Sequence, residues 1–403
     1  MALLIKDISQ LLTVRENSLG IIEDAFLLIK KGKIASYGER KSLPSLRKVK
    51  VVSAENSVVL PGFVDCHTHL VFAGTREKEL EARFLGESYK KITEKKEGGI
   101  LATVEKTRAS SFRELLVKAK ERIKEGIKWG TTTVEIKSGY GLDTKNELKI
   151  LRVIKRLQKE TEIDIVPTFL GAHFLPPEKK KEDYIREIIE KMLPRIAKEK
   201  LAVFCDVFCE KLVFNSSEAE RILLAGKRYG LLPKIHADEL EPSGGAEVGV
   251  KVGAVSCEHL VYPTKKGLRG MAEKKITAVL LPSTALFLGI RSLPPVSEMR
   301  RLGIKIALGS DFNPGTSPLN KMPIVIAFAT FLYHLTMEEA IIGATLNSAR
   351  ALKLEKRIGS IEKGKDGDVI ILKVPDYRFL FYNFGDNPVR TVIKRGKVIL
   401  VNR

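Results

Sequence analysis

The sequence predicts an α/β protein: a (β/α)8 barrel with a small β-sandwich-like domain built from both chain ends. Eight short β-branched runs alternate with amphipathic segments over about 250 residues, the usual size of such a barrel. Both flanks show strand-like alternation without long helices. The alternative, a doubly wound open sheet, would carry a glycine-rich phosphate turn after its first strand, and the sequence has none there. The predicted domains are residues 1–57 and 356–403 for the small β-domain and 58–355 for the barrel.

The barrel elements follow from hydrophobic periodicity. Apolar and β-branched runs predict strands over 58–69, 131–137, 164–170, 202–210, 233–238, 254–259, 277–282 and 304–311. Between them, Ser111 and Glu114 have the spacing of a capping box, and residues 146–159 repeat apolar positions at helical spacing. Residues 217–229 show the same spacing and end before Gly230, which predicts a helix with a glycine C-terminal cap.

The chain ends predict the small domain. Alternating segments over 25–30, 33–37 and 49–52 precede the barrel, and 368–372 and 391–394 follow it. Lys31-Gly32-Lys33 and Arg395-Gly396-Lys397 predict hairpin turns. We therefore expect the two ends to pair into one β-domain beside the barrel.

Composition excludes several classes of protein. The 69 Lys and Arg exceed the 49 Asp and Glu, giving a net charge of +20. Basic residues are nevertheless mixed with acidic ones, as in residues 179–183 and 362–365, so no nucleic-acid partner is expected. No apolar run approaches the roughly 18 residues of a membrane span. The four cysteines lack a Cys-x-x-Cys spacing and the N-terminus lacks a leader pattern, so we expect a cytoplasmic protein without disulfides.

One segment points to metal chemistry. The apolar run Pro61-Gly62-Phe63-Val64-Asp65-Cys66 ends in His67 and His69, one residue apart. Side chains at positions i and i+2 of a strand point to the same side, so both imidazoles can bind one ion. The alternative is a pair of surface histidines on an edge strand. The rest of the chain favours the metal.

Polar residues gather where the predicted strands end, which is where barrel enzymes place their active sites. Five of the six histidines lie at such ends, and only His334 lies elsewhere. The five are His67, His69, His173, His236 and His259. Histidines with purely structural roles would not gather at strand ends. The sequence therefore predicts one site at the carboxyl ends of the barrel strands.

The residue types fit a hydrolytic metal site. A catalytic zinc or iron ion needs imidazoles, a carboxylate and an open position for water. Four residues supply these ligands: His67, His69, His236 and Asp311. Asp311 is also a candidate general base, and Glu239 and His259 are placed to move protons or to stabilise an oxyanion.

Each assignment has a plainer alternative. Asp311 can cap the following helix, Glu239 can be a surface carboxylate and His259 a packed polar residue. Arg76, soon after the first strand, can be a solvated arginine; its functional interpretation is a bidentate clamp for a substrate carboxylate.

These motifs resemble the amidohydrolase superfamily of metal-dependent barrel hydrolases, through Pro-Gly-x-x-Asp-x-His-x-His, His236, His259 and Asp311. Longer phrases throughout the barrel resemble the imidazolonepropionase family within it. They are residues 67–74, 135–141, 168–173, 236–239 and 311–318. Gly359-Ser360-Ile361 with Lys363-Gly364 resembles the family's return to its small domain.

The resemblance implies hydrolytic ring opening of 4-imidazolone-5-propanoate to N-formimidoyl-L-glutamate, in histidine degradation. The implied metal ligands are the four named above, and His259 is implied as a catalytic-site histidine. The implied substrate contacts are Arg76, Tyr140, His173, Glu239, Asn313, Gly315 and Thr316. Where related barrels place a metal-bridging carboxylated lysine, this chain has Cys209-Glu210, so one divalent or trivalent ion, zinc or iron, is expected. Glu258 stands where the family leads us to expect Asp.

Two rival functions stay open. A heterocycle aminohydrolase of the same superfamily would release ammonia, and a phrase such as His236 to Glu239 suits that chemistry too. A barrel that binds metal or ligand without turnover is the other rival. For the ring-opening hydrolase the expected partner is a small molecule bearing a carboxylate, without a membrane partner, and a homodimer is possible.

Overall fold

The computed structural model describes residues 2–45, 48–86, 98–289 and 292–402. Its strands form two sheets, a seven-stranded sheet and a nine-stranded sheet. In chain order the strands are β1 Ala2–Leu12, β2 Ile21–Lys30, β3 Lys33–Glu39, β4 Lys50–Pro61, β5 Phe63–Asp65, β6 Thr131–Lys137, β7 Asp164–Ala172, β8 Phe204–Cys209, β9 Leu232–Pro233, β10 Ile235–Ala237, β11 Ser256–His259, β12 Thr277–Leu280, β13 Ile306–Leu308, β14 Val369–Leu372, β15 Val389–Lys394 and β16 Lys397–Val401.

Helices separate the strands of the larger sheet, and two of them continue through π-helical turns. In chain order the helices are α1 Glu77–Phe84, α2 Gly99–Ala109, α3 Phe112–Lys128, α4 Thr144–Glu160, α5 Lys181–Glu187, α6 Leu193–Glu199, α7 Ser216–Arg228, α8 Gly245–Val252, α9 Lys265–Glu273, α10 Pro282–Leu288, α11 Val296–Arg301, α12 Met322–Tyr333, α13 Met337–Ile342, α14 Ser348–Ala351 and α15 Phe379–Tyr382. The π-helical turns are Ile188–Met192 and Gly343–Asn347, and Arg40–Ser42 forms a 3-10 turn.

The larger sheet is the predicted barrel. Its parallel strands follow the order β5-β6-β7-β8-β10-β11-β12-β13, with β9 also paired to β8. The two ends of this order meet, because the Asp311 N–H donates to the His67 carbonyl at 2.9 Å. Asp65 reinforces the closure by accepting from the Ser310 N–H at 2.9 Å. The (β/α)8 prediction is confirmed.

The smaller sheet is built from both chain ends, as predicted. Its order is β16-β15-β14-β4-β1-β2-β3, so β4 and β14 join the N-terminal and C-terminal parts. Both predicted turns are present, with Gly32 at φ +78° and Gly396 at φ +71°. The long strand β1 was not predicted, because Asp7 at φ +56° and a register shift interrupt its alternation.

The predicted first barrel strand, residues 58–69, is wrong as a single element. The chain up to Pro61 belongs to β4, which pairs with β1 and β14 in the smaller sheet. The barrel strand β5 covers only Phe63–Asp65. Gly62 lies at the change of sheet, where a β-carbon would stand 2.3 Å from the Thr132 side chain. An apolar run cannot show that it crosses from one sheet to another.

The helix signals were more accurate. Ser111 and Glu114 form the predicted capping box at the start of α3. A second capping box, between Asn215 and Glu218, begins α7, and Gly230 follows that helix at φ +82°. The predicted helix 146–159 begins two residues earlier, because the Asp143 side chain caps it.

The described residues form one large hydrophobic cluster in the barrel and smaller ones elsewhere, including in the smaller sheet. All four cysteines are buried and free. None of the described helices combines the length and the apolar character that crossing a membrane requires.

Candidate metal centre and active site

Side chains from distant strands meet at the carboxyl end of the barrel. His67 Nε2 and His69 Nε2 lie 3.3 Å apart, and Asp311 Oδ1 lies 3.4 Å from both. The ring of His236 lies 4.6 Å from that of His67, centroid to centroid, and 5.2 Å from that of His259. The structure thus brings together the four residues predicted as ligands.

The spacing of the donor atoms fits one metal ion. Zn–N and Zn–O bonds of about 2.0–2.1 Å around a tetrahedral centre place neighbouring donors about 3.3 Å apart. The observed separations of 3.3 and 3.4 Å match this value. In addition, the buried Nε2 of His236 has no hydrogen-bond partner among the described residues. Three imidazoles and one carboxylate are a donor set for zinc or iron.

Two carboxylates lie beside the rings of candidate ligands. Glu258 Oε2 lies 2.6 Å from His67 Nδ1, and Asp206 Oδ2 lies 3.0 Å from His236 Nδ1. A carboxylate beside Nδ1 favours the tautomer that leaves Nε2 as the electron-pair donor. Glu258, which replaces the expected Asp, is therefore long enough to contact the ring of a ligand.

Beneath the ligands lies a group of buried charges that the sequence analysis missed; we call it the ionic layer. Its members are Lys137, Lys234, Glu135, Asp206 and Glu258, and the structure excludes solvent from every one of their side chains. A charged residue inside a short apolar strand is rarely buried without a partner, and this was the available sequence signal.

The two lysines bridge the carboxylates. Lys137 Nζ lies 2.8 Å from Asp206 and 2.9 Å from Glu258. Lys234 Nζ lies 2.8 Å from Glu135 and 2.7 Å from Glu258. Burial opposes the charge on Lys137, but Asp206, Glu135 and Glu258 raise its pKa well above the ordinary value. With three carboxylates against two lysines, the layer favours positive charge at the histidines above it.

Burial and the neighbouring buried charges shift the pKa values of the candidate ligands His67 and His69. Burial lowers the pKa of His67, but the charge of Glu258 and the contacts with Asp311 and Glu258 together outweigh burial and raise the pKa to about 9. Burial lowers the pKa of His69 to about 4. The centre therefore favours one positive charge at His67, where a metal ion would replace the proton.

Glu239 and His259 form a pair beside the ligands. Glu239 Oε1 lies 3.5 Å from His259 Nδ1. Burial, and then the charges of Asp311 and Glu210, raise the pKa of Glu239 well above its ordinary value. Burial lowers the pKa of His259 well below its ordinary value. A carboxyl that keeps its proton beside a neutral imidazole is suited to acid–base work.

The loop that carries Glu239 is held by two other carboxylates. Glu210 accepts from the backbone N–H groups of Glu239 and Leu240 at 2.8 and 3.0 Å and from the Ser243 hydroxyl at 2.6 Å. Asp238 accepts from the N–H of Ala246 at 2.9 Å, at the start of α8. Glu210 thus supports the loop, a role that its strand-end position alone did not reveal.

A cavity of about 420 Å³ opens above the ligands. Six of the seven predicted substrate contacts line it: Arg76, Tyr140, His173, Glu239, Asn313 and Thr316. The seventh, Gly315, lies against Arg76, because a β-carbon there would stand 1.9 Å from Arg76 Nη1. Apolar walls from Ile100, Phe174, Phe208 and Leu288 complete the cavity.

Aromatic rings line one side of the cavity. His173 lies parallel to His69, with centroids 4.9 Å apart, and Tyr140 lies 5.5 Å from His173. The buried carboxylate of Glu147 holds the loop of Tyr140 by accepting from the N–H groups of Gly139, Gly141 and Leu142. Planar rings at this spacing suit a flat heterocyclic ligand.

The amide of Asn313 is used within its own loop. Its Oδ1 accepts from the N–H groups of Gly315 and Thr316 at 2.9 and 2.8 Å. Its Nδ2 donates to the Asp311 carbonyl and to the Thr316 hydroxyl, each at 2.7 Å. Asn313 therefore shapes the loop between Asp311 and Arg76, and its contact with substrate stays a prediction.

Two site residues have strained backbones. Asp311 lies at φ +52° and His259 at φ +70°. Side chains other than glycine seldom adopt this region, and such residues concentrate at functional sites.

Sequence comparisons place the chain among known hydrolases. The model of the Amidohydrolase family matches residues 58–399. An imidazolonepropionase of Clostridium tetani is 46% identical over 391 residues, which cover 95% of this chain and 92% of that protein. An imidazolonepropionase of Geobacillus kaustophilus is 43% identical over 394 residues, with the same coverage of 95% and 92%.

Solved structures support the fold. A 5-methylcytosine deaminase from Klebsiella pneumoniae, liganded with 5-fluorocytosine, superimposes with a TM-score of 0.76 at 18% identity and covers 100% of this chain and 98% of its own. A zinc-bound adenosine deaminase from Xanthomonas campestris gives a TM-score of 0.75 at 18% identity, covering 100% and 93%. Given the matches over nearly its full length, the chain belongs to the amidohydrolase family and, within it, to the imidazolonepropionases.

Proposed function

We propose that the chain hydrolyses 4-imidazolone-5-propanoate to N-formimidoyl-L-glutamate. One observation carries the proposal: three of the four candidate metal ligands, an acid–base pair and an arginine line one cavity, and the fourth candidate ligand, His67, lies beside His69 and His236. The two imidazolonepropionases similar over nearly the full chain support the same reaction. A small ring with a propionate needs one cation, a few polar contacts and an activated water.

We propose a single ion, zinc or iron, held by His67, His69, His236 and Asp311. When bound, such an ion lowers the pKa of a water ligand towards about 7 and so supplies a nucleophile at neutral pH. Glu210, at the strand end where some related barrels bridge two metals, is already bonded to its loop. This supports one ion rather than two.

The protein residues bind the substrate and move the protons. Arg76 pairs with the propionate, and His173 and Tyr140 stack against the ring. Water adds to the ring carbonyl carbon, the bond from this carbon to the ring nitrogen breaks, and that nitrogen takes up a proton. Glu239, whose pKa is raised, donates this proton, while neutral His259 or the Asp311 carboxylate accepts the proton of the water.

The rival reaction is deamination of a heterocycle, which the two solved structures named above carry out according to their names. These proteins are 18% identical to the chain, so their likeness supports the fold alone. Ring opening leaves both nitrogens in the product, whereas deamination releases ammonia. Ammonia release therefore separates the two reactions.

The test supplies 4-imidazolone-5-propanoate to metal-replete enzyme. We expect the ring absorbance to disappear as N-formimidoyl-L-glutamate forms in equal amount, without ammonia. Ammonia release from this or a related ring would support the aminohydrolase. Retained metal without turnover of any ring would support a binding protein.

Three further expectations stay predictions: a cytoplasmic location, a possible homodimer and the absence of a nucleic-acid partner. The four buried, free cysteines agree with a reducing compartment.

A further inference from the structure

The guanidinium of Arg76 is held by another side chain. Arg76 Nε donates to Glu79 Oε1 at 2.8 Å, and Arg76 Nη2 donates to Glu79 Oε2 at 2.6 Å. This bidentate pair is largely sequestered, with 5% of the Arg76 side chain and 12% of the Glu79 side chain exposed. Glu79 also accepts from the Gly99 N–H at 3.0 Å, which ties α1 to the start of α2. The edge of the guanidinium that carries Nε and Nη2 is therefore held by Glu79.

The opposite nitrogen of the guanidinium is fixed by close packing. A β-carbon at position 315 would stand 1.9 Å from Arg76 Nη1, so only glycine leaves room for the guanidinium there. Gly315 in turn donates its N–H to Asn313 Oδ1, and Asn313 donates to the carbonyl of Asp311. Arg76 is thus linked through a single loop to a predicted metal ligand.

We propose that Glu79 is a positioning residue that holds Arg76 at a set place relative to the metal centre. This inference rests on the proposed function, because it assigns Arg76 to the carboxylate of the substrate. A fixed guanidinium selects ligands whose carboxylate lies at one distance from the reacting ring, and so contributes to specificity.

Two effects of Glu79 on binding oppose each other. Its negative charge offsets the charge of Arg76, so its removal would by itself strengthen attraction for an anion. However, a buried arginine that loses a bidentate carboxylate contact is held less firmly, and a ligand must then restore its position. We expect the loss of position to prevail, because the pair is bidentate and nearly buried.

The test measures binding of two probes by calorimetry, with metal-loaded protein. Imidazole-4-propanoate carries the carboxylate, and 4-methylimidazole has the ring without it. We expect Glu79→Gln to weaken the first probe about tenfold and to change the second less than about twofold. Glu81, exposed on the same helix, provides the matched control, and Glu81→Gln should change neither affinity.

The binding results for the Glu79 variants can be distinguished from the result of the ring-opening assay. Unchanged or tighter binding of imidazole-4-propanoate to Glu79→Gln would overturn the inference, as would equal weakening of both probes. Glu79→Asp, which keeps the charge but shortens the side chain, should also weaken only the first probe. If wild-type protein fails to open the ring but these affinities change as expected, the proposed reaction is wrong and the positioning role stands.

Discussion

Replacing Lys137 by Met tests whether the ionic layer supports both the fold and the metal centre. Lys137 contacts three carboxylates, whereas Lys234 pairs with Glu135 and Glu258 among the described residues. Asp206 would therefore lose its cation and keep its contacts with His236. The variant leaves a buried carboxylate without compensation.

The expected loss in the free energy of unfolding follows from the number of ion pairs that Lys137 makes. Removing one partner of a buried ion pair costs about 3–5 kcal/mol, a large fraction of the roughly 5–15 kcal/mol by which proteins are stable. With a urea dependence of about 3 kcal/mol per molar, the unfolding midpoint should fall by about 1–2 M. Since Asp206 orients His236, metal affinity should also fall about 10- to 100-fold.

Urea unfolding followed by circular dichroism, with metal held at a fixed concentration, measures the first effect. Competition with a chelator measures the second. Lys118→Met, on the exposed face of α3, is the matched control and should leave both unchanged. An unfolding midpoint for Lys137→Met equal to that of wild type would refute the energetic role assigned to the layer.

Two further substitutions test the assigned roles in the cavity. Arg76→Ala should raise KM about 10- to 100-fold and change kcat little, because a charge-assisted bond to the substrate is lost; a fall in kcat at unchanged KM would contradict this. Glu239→Gln should lower kcat at least about 100-fold, as measured in steady-state assays. Because the pKa of Glu239 is raised, its protonated form persists to higher pH and is lost as pH rises through that pKa, so wild-type kcat should fall on the alkaline side. That alkaline decrease should be absent in Glu239→Gln, and its persistence would assign it to another group.

The sequence predicted the barrel, and it pointed to the candidate metal ligands, because both leave local signals. Strand periodicity and the placement of histidines after strands are properties of short segments. The donor atoms of His67, His69 and Asp311 form one group, and His67 also groups with His236, although the segments that carry His67, His236 and Asp311 are far apart along the chain. The family resemblance added the predicted substrate contacts, of which Gly315 packs against Arg76.

The features that were missed depend on contacts between segments. The passage of the chain from β4 to β5 occurs within one apolar run, so periodicity cannot locate it. Lysines such as Lys137 and Lys234 usually lie on the surface. Only the contacts among the five residues of the ionic layer show that each lysine is paired with carboxylates. The supporting role of Glu210 depends likewise on a loop thirty residues later in the chain.

The most direct test of the metal centre is elemental analysis of the purified protein, combined with activity after exhaustive chelation. We predict one zinc or iron ion per chain, loss of activity on chelation, recovery when the ion is returned, and neither metal nor turnover in Asp311→Ala. Full activity in the metal-free protein, or two ions per chain, would contradict a reaction centred on one ion held by three histidines and an aspartate.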